Sequence, residues 1–490
     1  MISEEVRPLK YLIITLLCFY PCSASPGFQQ EPNQASTPGQ NVPGQADQGS
    51  QGQEGEPGAA GTTDEEIEPA RPTMTPLSGA DVFAPSTVGG AGGEQSYVVP
   101  AFQLTGYAAT NPSGATARLN GNASVLGSIT LQSVRRQSQF NLDYAGGEYF
   151  YSRYTNRTFH RLGISEAVAS RHWELQLSDY VSYLPESPFG FAGFGGISSI
   201  GLGLGGGYVP SGPVIDPTLG PNQTILTGRV RQMSNIAVAQ AEYHPRTRSA
   251  VTLTGGYGSL HFLDAGFIDS NYWTLSAGYN YALTRRDTLA ASYTQTSIDL
   301  HVNSANIVLR GGDLEYGRKL ASRLYLKLSG GPTFSRSSFP AVGVATRWFW
   351  RTSDSLNYRL SDRGSWALSY VRYATSGSGV LLGARSDLAT FTMDRELSRT
   401  LDGSADFGYA RHRSLSGQPG TNGGLKFDIW QGGLNLTRRL GLRTGVYVHY
   451  SLQRQNSDRP ICFENRCETA FLRHVVGIGV NWHSRPLRLQ

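Results

Sequence analysis

Cys462 and Cys467 are the two side chains in this sequence best placed to react with each other. Cys18 and Cys22 lie within the first 24 residues, which leaves these two as an even pair with four residues between them. In an oxidising compartment they would form a disulfide closing the segment Ile461 to Glu468, and in a reducing one they would stay thiols. Other chemistry has less to work with. The nine histidines are scattered, with no His-x-x-x-His or Cys-x-x-Cys pair to hold zinc or run redox exchange. The serines are too numerous to single out a nucleophile. Asp143, Glu242, Asp394 and His449 could serve a hydrolase only if folding brought them together at one rim, and the same residues also suit an ordinary polar interior. The expectation is a protein without a catalytic site, metal or cofactor. It also lacks the basic helix or aromatic platform that would grip nucleic acid.

The elements that must carry these residues are strands. The chain has 490 residues with 59 Gly and 25 Tyr, and only 16% are charged, a composition unlike that of a helical or α/β enzyme. A mean hydropathy of -0.29 excludes a helical membrane bundle but permits a barrel, in which only every second residue meets lipid. Apolar residues alternate in Trp173-Leu175-Leu177, Val251-Leu253-Gly255-Tyr257, Trp273-Leu275-Ala277-Tyr279-Tyr281 and Leu324-Leu326-Leu328. The same period runs through Trp366-Leu368-Tyr370, Val446-Val448-Tyr450-Leu452 and Val476-Ile478-Val480-Trp482. All seven tryptophans share the apolar parity of their segments, as an aromatic girdle requires. A soluble sandwich would alternate too, but its strands would be nearer 5 to 6 residues.

Brief, often basic turns such as Val134-Arg135-Arg136, Thr284-Arg285-Arg286-Asp287 and Arg438-Arg439-Leu440-Gly441 trade places with longer loops. This predicts an all-β fold, a transmembrane antiparallel up-and-down barrel over 96–490. It has about 18 strands, starting near residues 98, 123, 138, 158, 172, 228, 249, 271, 288, 304, 324, 344, 365, 385, 403, 425, 442 and 471. Sixteen strands would result if the segments near 98 and 304 fail, Gly311-Gly312 being a break in the alternation. Glu166 falls on the lipid parity of its own segment and conflicts with it.

Ahead of the barrel, Arg7 and Lys10 precede the apolar run Tyr11 to Tyr20, and small residues follow. This reads as a signal peptide over 1–24, cut after Ala24, too short to span a bilayer as a helix of ~20 residues. Residues 25–95 are a Gln/Gly/Pro-rich leader with ten acidic residues against Arg71 alone, a composition that forms no core. A coil of that length reaches ~45 Å, enough to meet the cell wall. Without both segments the chain keeps 39 basic and 25 acidic residues, a charge of about +14. Arg161, Lys327, Arg347, Arg351, Arg443 and Arg473 fall on the inward parity, so a water-filled lumen would favour anions. Much of the remaining surplus lies in turns, where arginine can instead anchor the rim to anionic headgroups. From Pro185 to Asn222 a glycine-rich segment bears Phe189, Phe191 and Phe194 and has no charge between Phe189 and Pro210. Nine glycines at ~1 kcal/mol each argue against a spanning helix there.

The pattern over roughly 385 residues resembles the bacterial outer-membrane β-barrel class, porins included. The last segment, Gly477-Ile478-Gly479-Val480-Asn481-Trp482, is similar to the C-terminal signal read by the barrel-assembly machinery, with Gly477, Val480 and Trp482 at matching positions. It departs from that signal at Val475, and eight residues follow the aromatic. The resemblance implies residence in the outer membrane among its lipids and passage of small hydrophilic solutes. It also implies that the glycine-rich segment folds into the lumen as a constriction; a surface loop is the other reading. A non-conducting structural or surface-binding barrel and an outer-membrane hydrolase are the rival functions. Nothing in the pattern selects between a trimer and a monomer.

Overall fold

The computed structural model describes residues 95–110, 119–152, 155–185, 225, 230–302, 305–339, 343–361, 363–377, 379–415, 425–463 and 466–488. The signal segment 1–24, nearly all of the leader, and Phe189, Phe191 and Phe194 lie outside the described residues. So do the side chains of 461–468.

Segments that alternate apolar and polar residues can satisfy a membrane only as a sheet with no free edge, because lipid offers no partner to an unpaired backbone group. The chain meets this condition with eighteen antiparallel strands. They are β1 Gln95–Thr110, β2 Leu119–Val134, β3 Ser138–Tyr151, β4 Arg157–Ala169, β5 Trp173–Leu184, β6 Gln232–Arg246, β7 Ser249–Phe262, β8 Ser270–Ala282 and β9 Asp287–Leu300. The second half comprises β10 Ala305–Ala321, β11 Leu324–Phe339, β12 Gly343–Ser361, β13 Gly364–Thr375, β14 Ala384–Ser398, β15 Leu401–Ser414, β16 Lys426–Arg439, β17 Thr444–Phe463 and β18 Arg466–His483. Each strand pairs with its sequence neighbours, and β1 closes on β18 from Ala101↔His483 to Ala109↔Val475. A two-residue strand, β19 Leu487–Arg488, prolongs that seam by pairing with Val98 and Tyr97.

The strands near residues 98 and 304 are both present, so the count is eighteen. Gly311 and Gly312 pair with Thr294 and Tyr293 of β9, whereas toward β11 the register lapses between Gly311↔Thr333 and Leu314↔Gly330. An even count returns both ends of the barrel to one rim, which also bears the short turns. We take this rim as periplasmic and the other as extracellular. Four β-bulges adjoin the short turns, between Tyr243/Arg246, Lys319/Ala321, Arg359/Ser361 and Glu396/Ser398. There each lets the chain bend out of the sheet.

Outward-facing residues are the apolar set. Leu104, Leu253, Leu275, Leu314, Leu434 and Ile478 are about half exposed, as are Trp173, Trp273, Trp350, Trp430 and Trp482. In water each such aliphatic group would forgo ~1.5–3 kcal/mol of burial. The surface is therefore one that belongs in lipid, and the protein is a barrel of the bacterial outer membrane. Glu166 does point outward, in register with Leu177 and Phe140, four residues from the turn at Ser170. The strand is correctly read, and the misfit belongs to the residue itself. Its place near the rim keeps the cost low, since the penalty for lipid-facing charge falls toward the interface.

Candidate functional site: the barrel lumen

The inner wall changes character with height. In its lower and middle parts the inward residues are small or polar: Ser128, Thr252, Thr254, Thr274, Ser276, Asn280 and Gln453 are all nearly inaccessible behind larger neighbours. Toward the extracellular rim apolar clusters join the polar residues of the same parity, such as Ser124, Ser182, Ser335 and Ser386. Tyr107, Leu126, Tyr149, Phe159 and Leu184 cluster on one side. Tyr272, Ile298, Ile307, Phe339 and Phe349 cluster on another. Such a lining is unusual for a wet lumen and calls for something to cover it.

Part of the cover is the β13–β14 loop, of which 376–377 and 379–383 are described. Leu382 packs against the Ile307–Phe349 cluster, and Leu381 is buried with Leu388, Ala410, Phe427 and Ile429. The loop reaches the β7–β8 connection, where Ile268 N–H donates to Gly379 O at 2.9 Å. Gly379 has φ +74°, and a Cβ there would stand 2.1 Å from the Phe262 ring. Only glycine combines that left-handed backbone with so close an approach. Gly383, at φ +75°, lies similarly against Ile307. Strand periodicity alone does not reveal this loop. Its signal was the apolar Val380-Leu381-Leu382 set among Gly377, Gly379 and Gly383, an exposed-loop composition everywhere else. From the long β5–β6 connection one described residue, Ile225, is 1% exposed and packs with Leu381, Phe427 and Ile429 on the wall of β14–β16.

The six inward cations hold different positions. Arg351 bonds Asp313 through Nε at 3.2 Å and again through its terminal nitrogen. Lys327 Nζ lies 3.1 Å from Glu315 Oε2. Both are therefore neutralised on the wall formed by β10–β12. Arg347, four residues above Arg351 on β12, is exposed toward the lumen. Arg161 bonds the hydroxyl of Tyr180, with its guanidinium 5.7 Å from that ring. Arg473 is partly buried on β18. Arg443 lies in the turn after β16, where its carbonyl accepts His483 N–H at 3.0 Å, so it marks the periplasmic rim and not the strand wall. Of the residues that match the expected assembly-signal pattern, Val480 and Trp482 face outward and Gly477 faces inward beneath His449.

At the periplasmic mouth a cavity of about 840 Å³ is bordered by Arg359, Asp394, Glu396, Asp402, Arg439 and His483. Arg439 spans its wall, 2.8 Å from Asp402 and 3.8 Å from Glu396. Asp143, Glu242, Asp394 and His449 sit on β3, β6, β14 and β17, and folding does not gather them into one cluster. On the extracellular side Arg231 clamps Asp264, with bonds of 3.1 and 2.8 Å to Oδ1 and a backbone bond of 2.7 Å to Oδ2. Partial burial raises the Asp264 carboxyl, but the hydrogen bonds and charge of Arg231 outweigh it and hold the group below its ordinary value.

No family model matches this chain, and no curated protein matches it either. Among solved structures it is similar to Pseudomonas aeruginosa OccK2 (OpdF), with 12% identity over 81% of this chain and 98% of that one, at a TM-score of 0.42. It is similar to a BenF-like porin from Pseudomonas fluorescens Pf-5, with 13% identity over 81% and 99% and a TM-score of 0.41. For BauA, the ferric preacinetobactin receptor of Acinetobacter baumannii, the values are 8%, 78%, 80% and 0.38. The barrel itself is established by its own strand register.

Proposed function

We propose that the chain is a channel for passive diffusion of small hydrophilic solutes, narrowed from the extracellular side by loops folded onto its inner wall. The observation that carries this reading is a closed ring of eighteen strands with a polar lower inner wall. Barrels near eight strands fill with side chains, whereas 16 to 18 leave an aqueous lumen. Any anion bias rests on Arg347 and Arg161, because Lys327 and Arg351 are paired with acids. Screening over ~8 Å in physiological salt restricts it to solutes passing close to those groups.

A second reading, a non-conducting surface-binding barrel, is favoured by the burial of Ile225 and Leu381 against the upper wall. Single-channel conductance of the refolded chain in a planar bilayer, with reversal potential under a KCl gradient, separates the two. Stable steps that grow when 376–383 is replaced by a short turn support the channel. Silence in both forms supports the surface-binding barrel.

The remaining parts follow from sequence. Cleavage after Ala24 would release an acidic leader able to touch the cell wall, and replacing residues 25–95 would then weaken sedimentation with peptidoglycan. Gly477, Val480 and Trp482 would present the final strand to the assembly machinery, and Trp482→Ala would lower the amount of assembled barrel. Cys462 and Cys467 are cross-strand partners in backbone register, the arrangement a disulfide in the β17–β18 hairpin would use.

A further inference from the structure

The outward face of β13–β16 carries charge near the extracellular rim, where most of that face is apolar. Asp387 Oδ1 accepts from Tyr370 OH at 3.0 Å and from Arg372 Nε. Two strands on, the arrangement repeats: Asp428 Oδ1 accepts from Tyr409 OH and Arg411 Nε, both at 2.7 Å. Cross-strand register sets Arg372, Asp387, Arg411 and Asp428 in one row of alternating sign.

Two residues nearer the rim the alternation stops. Arg385 stands directly opposite Arg413, and Arg413 directly opposite Lys426. Like charges in that relation repel and destabilise a sheet unless an anion lies between them. The neighbouring acids are engaged elsewhere: Asp387 and Asp428 hold the lower row, and Asp458 Oδ1 accepts the backbone N–H of Lys426 at 2.9 Å. Among the described residues no ion pair joins a carboxylate to any of the three cations. The Nε of Arg385 is buried without a hydrogen-bond partner.

The depth of this row limits what can reach it. Descending from the rim, the outward residues of β16 are Lys426, Asp428, Trp430, Gly432, Leu434 and Leu436. Leu434 and Leu436 face acyl chains, and Trp430 lies tilted against Tyr409 with ring centroids 4.3 Å apart, at the level of a girdle. Lys426 is four residues above Trp430, ~13 Å along the strand and about 10 Å in height at a tilt of ~40°. A ligand there has headgroup at the cations and hydrocarbon on the wall below.

We propose that Arg385, Arg413 and Lys426 dock the phosphorylated saccharide headgroup of an outer-leaflet glycolipid. Guanidinium forks match phosphate oxygens, and the lower row holds Arg372 and Arg411 in place beneath them. The full chain, stripped of lipid in detergent, is titrated with bis-phosphorylated lipid A or its dephosphorylated form, and bound lipid is read by native mass spectrometry. The phosphorylated lipid is expected to bind more tightly. Each cation removed should weaken it about fivefold, and R385Q/R413Q/K426Q on the order of a hundredfold. Arg310→Gln, outward on β10, should leave affinity unchanged. Retarded migration of the unheated barrel on a gel verifies folding, and R413Q alone serves if the triple variant fails to close. Equal affinity for the two lipids, or an R413Q barrel that binds as the wild type does, overturns the proposal.

Discussion

Lys327 Nζ lies 3.1 Å from Glu315 Oε2 on the inner wall, and each side chain is only 10% exposed. A cation that the sequence offers to passing anions is thus held by an acid on the adjacent strand. Glu315→Gln is expected to free that charge and raise anion preference, read as a shift of reversal potential. Lys327→Met should do the opposite and leave a buried acid uncompensated, at a cost of ~3–5 kcal/mol. Unfolding in urea from lipid vesicles measures that cost.

Gly379 tests the loop. Gly379→Val would place a branched side chain at φ +74° and against the Phe262 ring. The backbone alone costs about 1–2 kcal/mol, and the clash adds to it. The loop should leave the wall, giving larger conductance steps and faster proteolysis within 376–383. Unchanged conductance together with unchanged proteolysis would remove this loop from the account of the constriction.

The Arg231–Asp264 clamp predicts a pH dependence. Because Arg231 lowers the carboxyl in the folded state, its contribution is fully present above the unfolded value of about 3.9. It is lost as pH falls through the lower folded value. Protection of 263–269 against hydrogen exchange, taken relative to the intrinsic rate at each pH, should therefore hold at neutral pH and be lost only in strong acid. In Asp264→Asn that step should vanish, with exchange faster at neutral pH.

Leu434 reports on the lipid face, being 57% exposed and outward on β16. Leu434→Arg should destabilise the barrel by ~2–4 kcal/mol if that position lies near the bilayer midplane. The same vesicle unfolding assay reads it, and a change within about 0.5 kcal/mol would mean that this part of the wall does not face hydrocarbon.

Oxidised protein should be two mass units lighter than reduced protein in the peptide that spans Cys462 and Cys467, the loss of two hydrogens on forming one S–S bond. Equal masses would mean free thiols.

How far the sequence reaches can be seen strand by strand. The start expected near residue 249 is Ser249, those near 271 and 288 are Ser270 and Asp287, and the start near 324 is Leu324. Such agreement is possible because a strand between lipid and water must alternate with period two, and a slip of one residue would turn every side chain to the wrong medium. Inward parity of Arg351 and Lys327 is equally local, so their side of the wall was legible. Their partners were not. Asp313 and Glu315 meet them only through the stagger between β10, β11 and β12, which belongs to the closed ring and to no single segment. The loop 376–383 shows the same limit: its glycines and serines suit any surface turn, and what brings it inward is contact with Phe262 and Ile307, over seventy residues away in sequence. Local periodicity therefore determined that this chain is a membrane barrel and which face of each strand is wet. Tertiary closure decided which charges are cancelled and what covers the upper wall, because both depend on distances between residues that only the completed ring brings together.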